Sequence, residues 1–252
     1  MFRLSDDLVF GPPLEQGGWV ARLATSNDMD DVYRLRAAAF RVDQGADDSD
    51  QFDKRSLHLW VGRQGQGPSA TVRLQLHLTA EDIMGGYSAA FYDLSRLSQA
   101  GAPVVEIGRL CSASQDAGNG DVLRLLWAGV ARVALRSDAI RLIGCTSFPT
   151  TNASTLAPAL GVLAARNLGP KALRPSPMAS ETYDLPERTT NPDAAAIGQL
   201  PPQLRTYLAL GGWVSDHLVI DRDLGTSHIF TCVDIATMPA ARKRVLTQLA
   251  AG

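Results

Sequence analysis

The stretch VVEIGRLCSASQDAGNGDVLRLLWAGVARVAL, Val104 to Leu135, decides the fold. It opens as a buried strand that carries Glu106 and Arg109 inside an apolar run. It breaks at a glycine-bearing turn and resumes as an amphipathic helix. The turn, Gln115-Asp116-Ala117-Gly118-Asn119-Gly120, spells Q-x-x-G-x-G. Glycines let backbone N–H groups approach an anion, and a helix N-terminus adds positive potential. The turn therefore reads equally as a phosphate cradle or as an ordinary glycine turn. No Lys-Ser/Thr pair follows Gly120, which excludes a P-loop, and the spacing fails the dinucleotide fingerprint. Glu106 and Arg109 are three residues apart, so an ideal strand points them to opposite faces unless a bulge re-aims one.

Working outward, WVARLAT (Trp19–Thr25) predicts a strand. A helix follows, capped by Ser26 or Asn27, with Asp28, Asp30 and Asp31 in its first turn. SLHLWVGR and SATVRLQLHL alternate as the strands of a hairpin joined by QGQGP. IRLIGCTSF predicts the strand after the central helix, and TLAPALGVLAARNLG a helix with Pro158 in its first turn. Lys171–Asp193, rich in Pro, Ser and Thr, reads as an excursion over the surface. LPPQLRTYLALGG predicts a short helix, HLVIDRDLGTSHIFTCVDI a hairpin and MPAARKRVLTQLA a basic terminal helix. This order predicts an α/β protein, a mixed sheet flanked by helices. One domain is expected over 1–252, with its core in 19–150 and the remaining helices, excursion and hairpin in 151–252.

The 252 residues, 45% hydrophobic, suffice for a sizeable core. A net charge of -2 offers no global basic field, so nucleic acid is not an expected partner. Cys111, Cys145 and Cys232 sit in apolar stretches without metal-ligand spacing, so no metal site is expected and a reducing cytoplasm fits. The first residues do not read as a secretory signal, and no run reaches the roughly 18 apolar residues of a membrane span. Any membrane contact is expected to be peripheral, at the inner membrane surface.

The strand–turn–helix–strand order resembles the GNAT acyltransferase superfamily. Its Q/R-x-x-G-x-G/A turn holds the pyrophosphate or phosphate of a pantetheine thioester. VEIGRLC resembles the E-x-G-R strand shared by acyl-homoserine-lactone synthases and ornithine-lipid acyltransferases. GCTSFPTT and LPPQLRTYLALGGWVSDHLVIDRDLGTSHIF resemble segments of the latter. So do RLRAAAF, with Arg34, Arg36 and Phe40, and the acidic loop Asp48-Ser49-Asp50-Gln51-Phe52-Asp53. The similarity runs from about Ala21 to Arg244. It implies a GNAT-type fold with a C-terminal extension. The implied activity moves a 3-hydroxyacyl chain from acyl carrier protein to the α-amine of a free amino acid, giving a lyso-aminolipid. Ornithine is the first choice and glutamine a close second, because Val42 and Asp43 stand where the family has paired glutamates. No tightly bound cofactor is implied; the donor itself carries 4′-phosphopantetheine. An acyl-homoserine-lactone synthase and a silent acyl-carrier or lipid-binding protein are the alternatives.

Acylating an amine requires a base for its proton and donors for the tetrahedral oxyanion. Glu106 is the candidate base, directly or through water, against a structural pairing with an arginine. The backbone of Leu110 or Cys111 is the candidate oxyanion donor. Arg109 suits a substrate carboxylate or an ion pair with Asp48, Asp50 or Asp53. Those three acids suit a substrate ammonium or a lock on Arg34 and Arg36. Ser147, Phe148 and Thr150 line an acyl tunnel or simply end a strand. Gln115, Gly118, Asn119 and Gly120 form the implied phosphopantetheine cradle. Arg166, Lys171 and Arg174, and separately Arg242, Lys243 and Arg244, suit an anionic carrier protein or headgroup, or a solvated face.

Overall fold

The computed structural model describes residues 6–41, 47–186 and 194–251. Val42, Asp43 and the segment 187–193 lie outside the described residues. The strands are β1 Leu14–Gln16, β2 Trp19–Leu23, β3 Leu57–Gly62, β4 Pro68–His77, β5 Tyr92–Asp93, β6 Val104–Ser112, β7 Arg141–Phe148, β8 Ser176–Pro177, β9 Thr182–Asp184, β10 Trp213–Asp221 and β11 Thr226–Asp234. The result is the expected α/β mixed sheet, mostly antiparallel and flanked by helices. The chain packs as two compact units. One holds residues 1–76, 107–139 and 240–252, the other 77–106 and 140–239, so the division falls within β4 and within β6.

In the first unit β1, β2, β3 and β4 form an antiparallel ladder, with Ala21 opposite Val61 and Leu59 opposite Val72. The end of β6 reaches the start of β4, where the Ala113 N–H donates to the Ser69 carbonyl at 2.8 Å. The Gly120–Arg136 helix covers this sheet with Val122, Leu125, Leu126, Val130 and Val133. Its Gly129 lets it come close: a Cβ there would sit 2.6 Å from the Leu59 side chain. The Ala240–Ala251 helix packs on it in turn, tied by Arg132, whose Nε donates to the Ala250 carbonyl at 2.6 Å. Leu246 and Leu249 are half-buried there, while Val245, Arg242, Lys243 and Arg244 are exposed.

The Met29–Phe40 helix starts one or two residues later than a cap at Asn27 or Ser26 sets it. Ser26–Asp28 forms a 3-10 turn capped by Thr25, whose N–H and hydroxyl both bond the Asp28 carboxylate at 2.7 Å. Asp28 is also held by Arg22 at 2.8 Å. This helix presents Arg36, with no exposed surface, to the acidic loop. Arg36 Nε donates to Asp48 at 2.8 Å and its Nη1 to Asp53 at 2.8 Å. Asp48, equally buried, also accepts from Arg41 Nε at 2.9 Å and Arg109 Nε at 3.0 Å. Arg73 on β4 bridges Asp50 at 2.6 Å and Asp53 at 3.0 Å. Opposite charges taken out of water together need partners of this quality, because each alone carries a penalty of several kcal/mol.

In the second unit the Ile140 N–H donates to the Pro103 carbonyl at 2.9 Å, so β6 and β7 begin side by side. β11 pairs antiparallel with β7 over its whole length, β10 with β11, and β9 with β10. Apolar clusters build both faces. Tyr92, Leu97, Val104, Ile143, Trp213 and Phe230 form one; Phe148, Leu160, Leu163, Leu204, Leu218 and Ile229 form the other. The Pro-rich excursion is fastened by β8 pairing with β5 and by β9. Among the described residues no helix is long and apolar enough to cross a membrane.

Two expectations follow from the arginine–aspartate lock. Asp48→Asn leaves three guanidinium groups around a neutral amide and should lower unfolding stability in urea by roughly 3–5 kcal/mol. A loss below about 1 kcal/mol would remove the lock from the fold's support. His58 lies beside the same acids, its Nε2 3.8 Å from an Asp53 carboxylate oxygen. Burial pushes its imidazole down to about 4, against the pull of Asp53. The folded chain therefore refuses a proton that the unfolded chain takes up below about 6.5. Stability should be full above pH 6.5 and fall by up to about 3 kcal/mol as the pH drops toward 4. Urea midpoints between pH 7 and 4.5 should show this slope, and His58→Gln should flatten it.

Candidate active site

Glu106 is the third residue of β6 and is buried. Its partners come from the segment after β4. Thr79 caps the short Ala80–Met84 helix, its hydroxyl accepting from the Asp82 N–H at 3.1 Å. Ile83 anchors that helix in the core, and Gly85 and Gly86 end it. The chain then turns so that two backbone N–H groups face Glu106. Ser88 donates to Oε1 at 2.6 Å and Tyr87 to Oε2 at 3.0 Å. His77, the last residue of β4, lies 2.9 Å from Oε2 through Nε2. A Cβ on Gly86 would lie 2.5 Å from that same oxygen and 2.8 Å from His77 Cε1, so only glycine lets the turn close here.

Burial pushes the Glu106 carboxyl up, but the hydrogen bonds from His77 and Ser88 outweigh it. The carboxyl is held below its ordinary range, and Glu106 is a carboxylate at neutral pH. Its partners are these groups, not an arginine. His77 has no exposed surface, and its Nδ1 has no hydrogen-bond partner.

Arg109 has a positive φ of 52°, unusual for a residue with a side chain. The reversed φ falls where Arg109 Nε donates to Asp48 at 3.0 Å and the guanidinium lies 5.8 Å from the Phe40 ring centre. Arg36, Asp48, Asp50 and Asp53 join it in the lock of the first unit. Of the two sequence readings of these residues, ion pairing is the one the geometry displays. Arg34 is separate from the lock, exposed, and paired with Asp31 on its own helix.

Leu110 and Cys111 follow the reversal. Burial pushes the Cys111 thiol up to about 12, so it is not a nucleophile at neutral pH. Beyond them Ser114–Asp116 makes one 3-10 turn, Gly118 takes a φ of +87°, and the helix starts at Gly120. Asn119 caps it, its Oδ1 accepting from the N–H groups of Asp121 at 3.0 Å and Val122 at 3.4 Å. Gln115, Gly118 and Gly120 are exposed, and a Cβ at either glycine would meet nothing within 4 Å. The turn is thus open to a ligand.

At the end of β7, Ser147 is exposed and Phe148 is core. Thr150 is half-buried, its carbonyl accepting from the Ser227 hydroxyl at 2.7 Å. Lys171 and Arg174 line a cavity of about 480 Å³ with Arg96, Ser176 and Asp216. There Arg174 pairs with Asp216 at 3.0 Å. Among the described residues no group of three or more His, Cys, Asp or Glu is arranged to hold a metal ion.

Sequence reasoning missed His77 and the Tyr87 and Ser88 amides. The signal available was slight: a glycine pair ahead of Tyr87, and a histidine ending an alternating strand 29 residues before Glu106.

Residues 31–128 match a family described as an acetyltransferase (GNAT) domain, from the first long helix through the Gln115–Gly120 turn. The L-ornithine N(alpha)-acyltransferase of Rhodobacter capsulatus is 29% identical over 73% of this chain and 70% of its own. The enzyme of the same name from Brucella abortus is 30% identical over 75% of this chain and 70% of its own. In fold the chain is similar to FeeM, an N-acyl amino acid synthase from uncultured soil microbes. That match has a TM-score of 0.52 at 12% identity, over 87% of this chain and 93% of that one. The chain belongs to the L-ornithine N(alpha)-acyltransferase family.

Proposed function

We propose that this amino-acid N-acyltransferase moves a 3-hydroxyacyl chain from acyl carrier protein to the α-amine of ornithine, releasing a lyso-aminolipid. The observation that carries the proposal is the Glu106 centre. It is a buried carboxylate, ionised at neutral pH and fixed by two backbone N–H groups and a histidine, on the strand that leads into the glycine turn. Such a centre suits removal of an amine proton, a step worth typically 10²–10⁴-fold in rate. Direct attack of the amine on the thioester needs no acyl-enzyme, in keeping with a Cys111 thiol that stays protonated. The Leu110 and Cys111 backbone is assigned to the oxyanion. The Gln115–Gly120 turn is assigned to the phosphate of the donor's 4′-phosphopantetheine arm, which would take the place of the Asn119 side chain at the helix N–H groups.

Ornithine is named because the relatives carry it in their names. The acids of the loop do not add to that choice, since each is paired with arginine. Carrier-protein docking is assigned to the basic cavity around Lys171 and Arg174, and the protein to the cytoplasm, with peripheral contact at the inner membrane.

The purified chain, given 3-hydroxypalmitoyl carrier protein and a panel of amino acids, should yield N-acyl-ornithine by mass detection. N-acyl-glutamine as the dominant product would change the acceptor only. Lactone release from S-adenosylmethionine, or acyl binding without thioester cleavage, would overturn the reading. Glu106→Gln should lower kcat at least about 100-fold, with the unfolding midpoint near that of the parent.

A further inference from the structure

The strongest unassigned feature is the orphaned nitrogen beside Glu106. We infer that His77 Nδ1 is the atom that takes the amine proton, with Glu106 as the residue that positions the imidazole; this rests on the N-acyltransferase reading above.

Both carboxylate oxygens are already engaged. Oε1 is engaged by the Ser88 N–H, and Oε2 by the Tyr87 N–H and by His77. The Gly86 backbone packs so tightly on Oε2 that even a methyl group would sit 2.5 Å from it. With Nε2 at 2.9 Å from the carboxylate, the tautomer that this role requires carries its ring proton there. Nδ1 is then a lone-pair acceptor, fully buried and without a partner. An unmet buried acceptor costs about 1–3 kcal/mol, and such groups persist where function uses them. A carboxylate holding one imidazole nitrogen so that the other acts as base is a recurrent device for acyl transfer. The Gly86 backbone packs on the Cε1–Nε2 edge of the ring, so the amine is assigned to the Nδ1 edge, which must open to admit it.

The steps balance. The free amine attacks the thioester carbonyl, forming the C–N bond and an oxyanion. Nδ1 takes the proton from the now cationic nitrogen. Collapse of the oxyanion breaks the C–S bond, and the imidazolium returns the proton to the departing sulfur. Amide and thiol are the products, and the ring is neutral again.

His77→Gln tests this with the full chain, 3-hydroxypalmitoyl carrier protein and ornithine. Glutamine keeps a side-chain N–H for Glu106 but offers no imidazole base. The expected result is a kcat at least about 100-fold lower, with ornithine KM within about twofold and an unchanged unfolding midpoint. A kcat within about threefold of the parent would overturn the inference while leaving the N-acyltransferase reading intact. A parent enzyme that acylates no amino acid would remove both. Should the variant not fold, the long-range ¹H–¹⁵N spectrum of the parent decides. Neutral His77 protonated on Nε2 and bare at Nδ1 supports the role; a proton on Nδ1 overturns it.

Discussion

The structure depends on how β6 carries two opposite charges through a buried strand. Left in an ideal strand, Glu106 and Arg109 would each be a desolvated ion with a penalty of several kcal/mol. The two side chains are served by separate sets of partners, and the backbone takes a φ of 52° at Arg109. Glu106 receives two backbone N–H groups and His77. Arg109 joins Arg36 and Arg41 around Asp48. Residues with side chains occupy such a conformation at a cost of order 1–3 kcal/mol, and they do so where surrounding contacts over-determine it. The lock supplies those contacts.

This division gives each charge a different kind of work. Arginine pairs with its fixed fork geometry and stays charged at every pH of interest, so it suits a permanent brace. A carboxylate beside a histidine can orient and stabilise a ring that exchanges a proton, so it suits chemistry. The glycines mark where backbone must come close. Gly86 closes the turn over Glu106, Gly129 brings the helix onto Leu59, and Gly118 turns the chain into the helix start.

Much of this was legible beforehand. The strand–turn–helix from Val104 to Leu135 follows from period, glycine and cap, and the resemblance of the segment holding GGWVSDHLVIDRD to a known family narrows the acyl donor. Glu106 stood out because a lone acid in an apolar strand demands a partner. What could not be read was which partner. The lock joins Arg36 to Asp53 and Asp48 to Arg109 across 17 and 61 residues, and charge pattern alone leaves binding and bracing equal. His77 was silent because nothing local distinguishes a histidine that meets a glutamate from one that merely ends a strand. Thr25 takes the capping role from Ser26 and Asn27 because a 3-10 turn precedes the helix and lets Asp28 fold back onto the Thr25 N–H and hydroxyl. β1, at three residues, carries too little periodicity to announce a strand.

The central claim is that the two charges of β6 serve separately, one in catalysis and one in the fold. Arg109→Gln isolates it, because glutamine removes the charge and the guanidinium fork while keeping a Cβ-bearing polar side chain at the same φ. Urea unfolding and amino-acid saturation should be measured on the same preparation. The expected result is a lowered unfolding midpoint with an amino-acid KM within about twofold of the parent. A KM raised tenfold or more with an unmoved midpoint would place Arg109 at the substrate and contradict the division; tenfold corresponds to about 1.4 kcal/mol of lost binding.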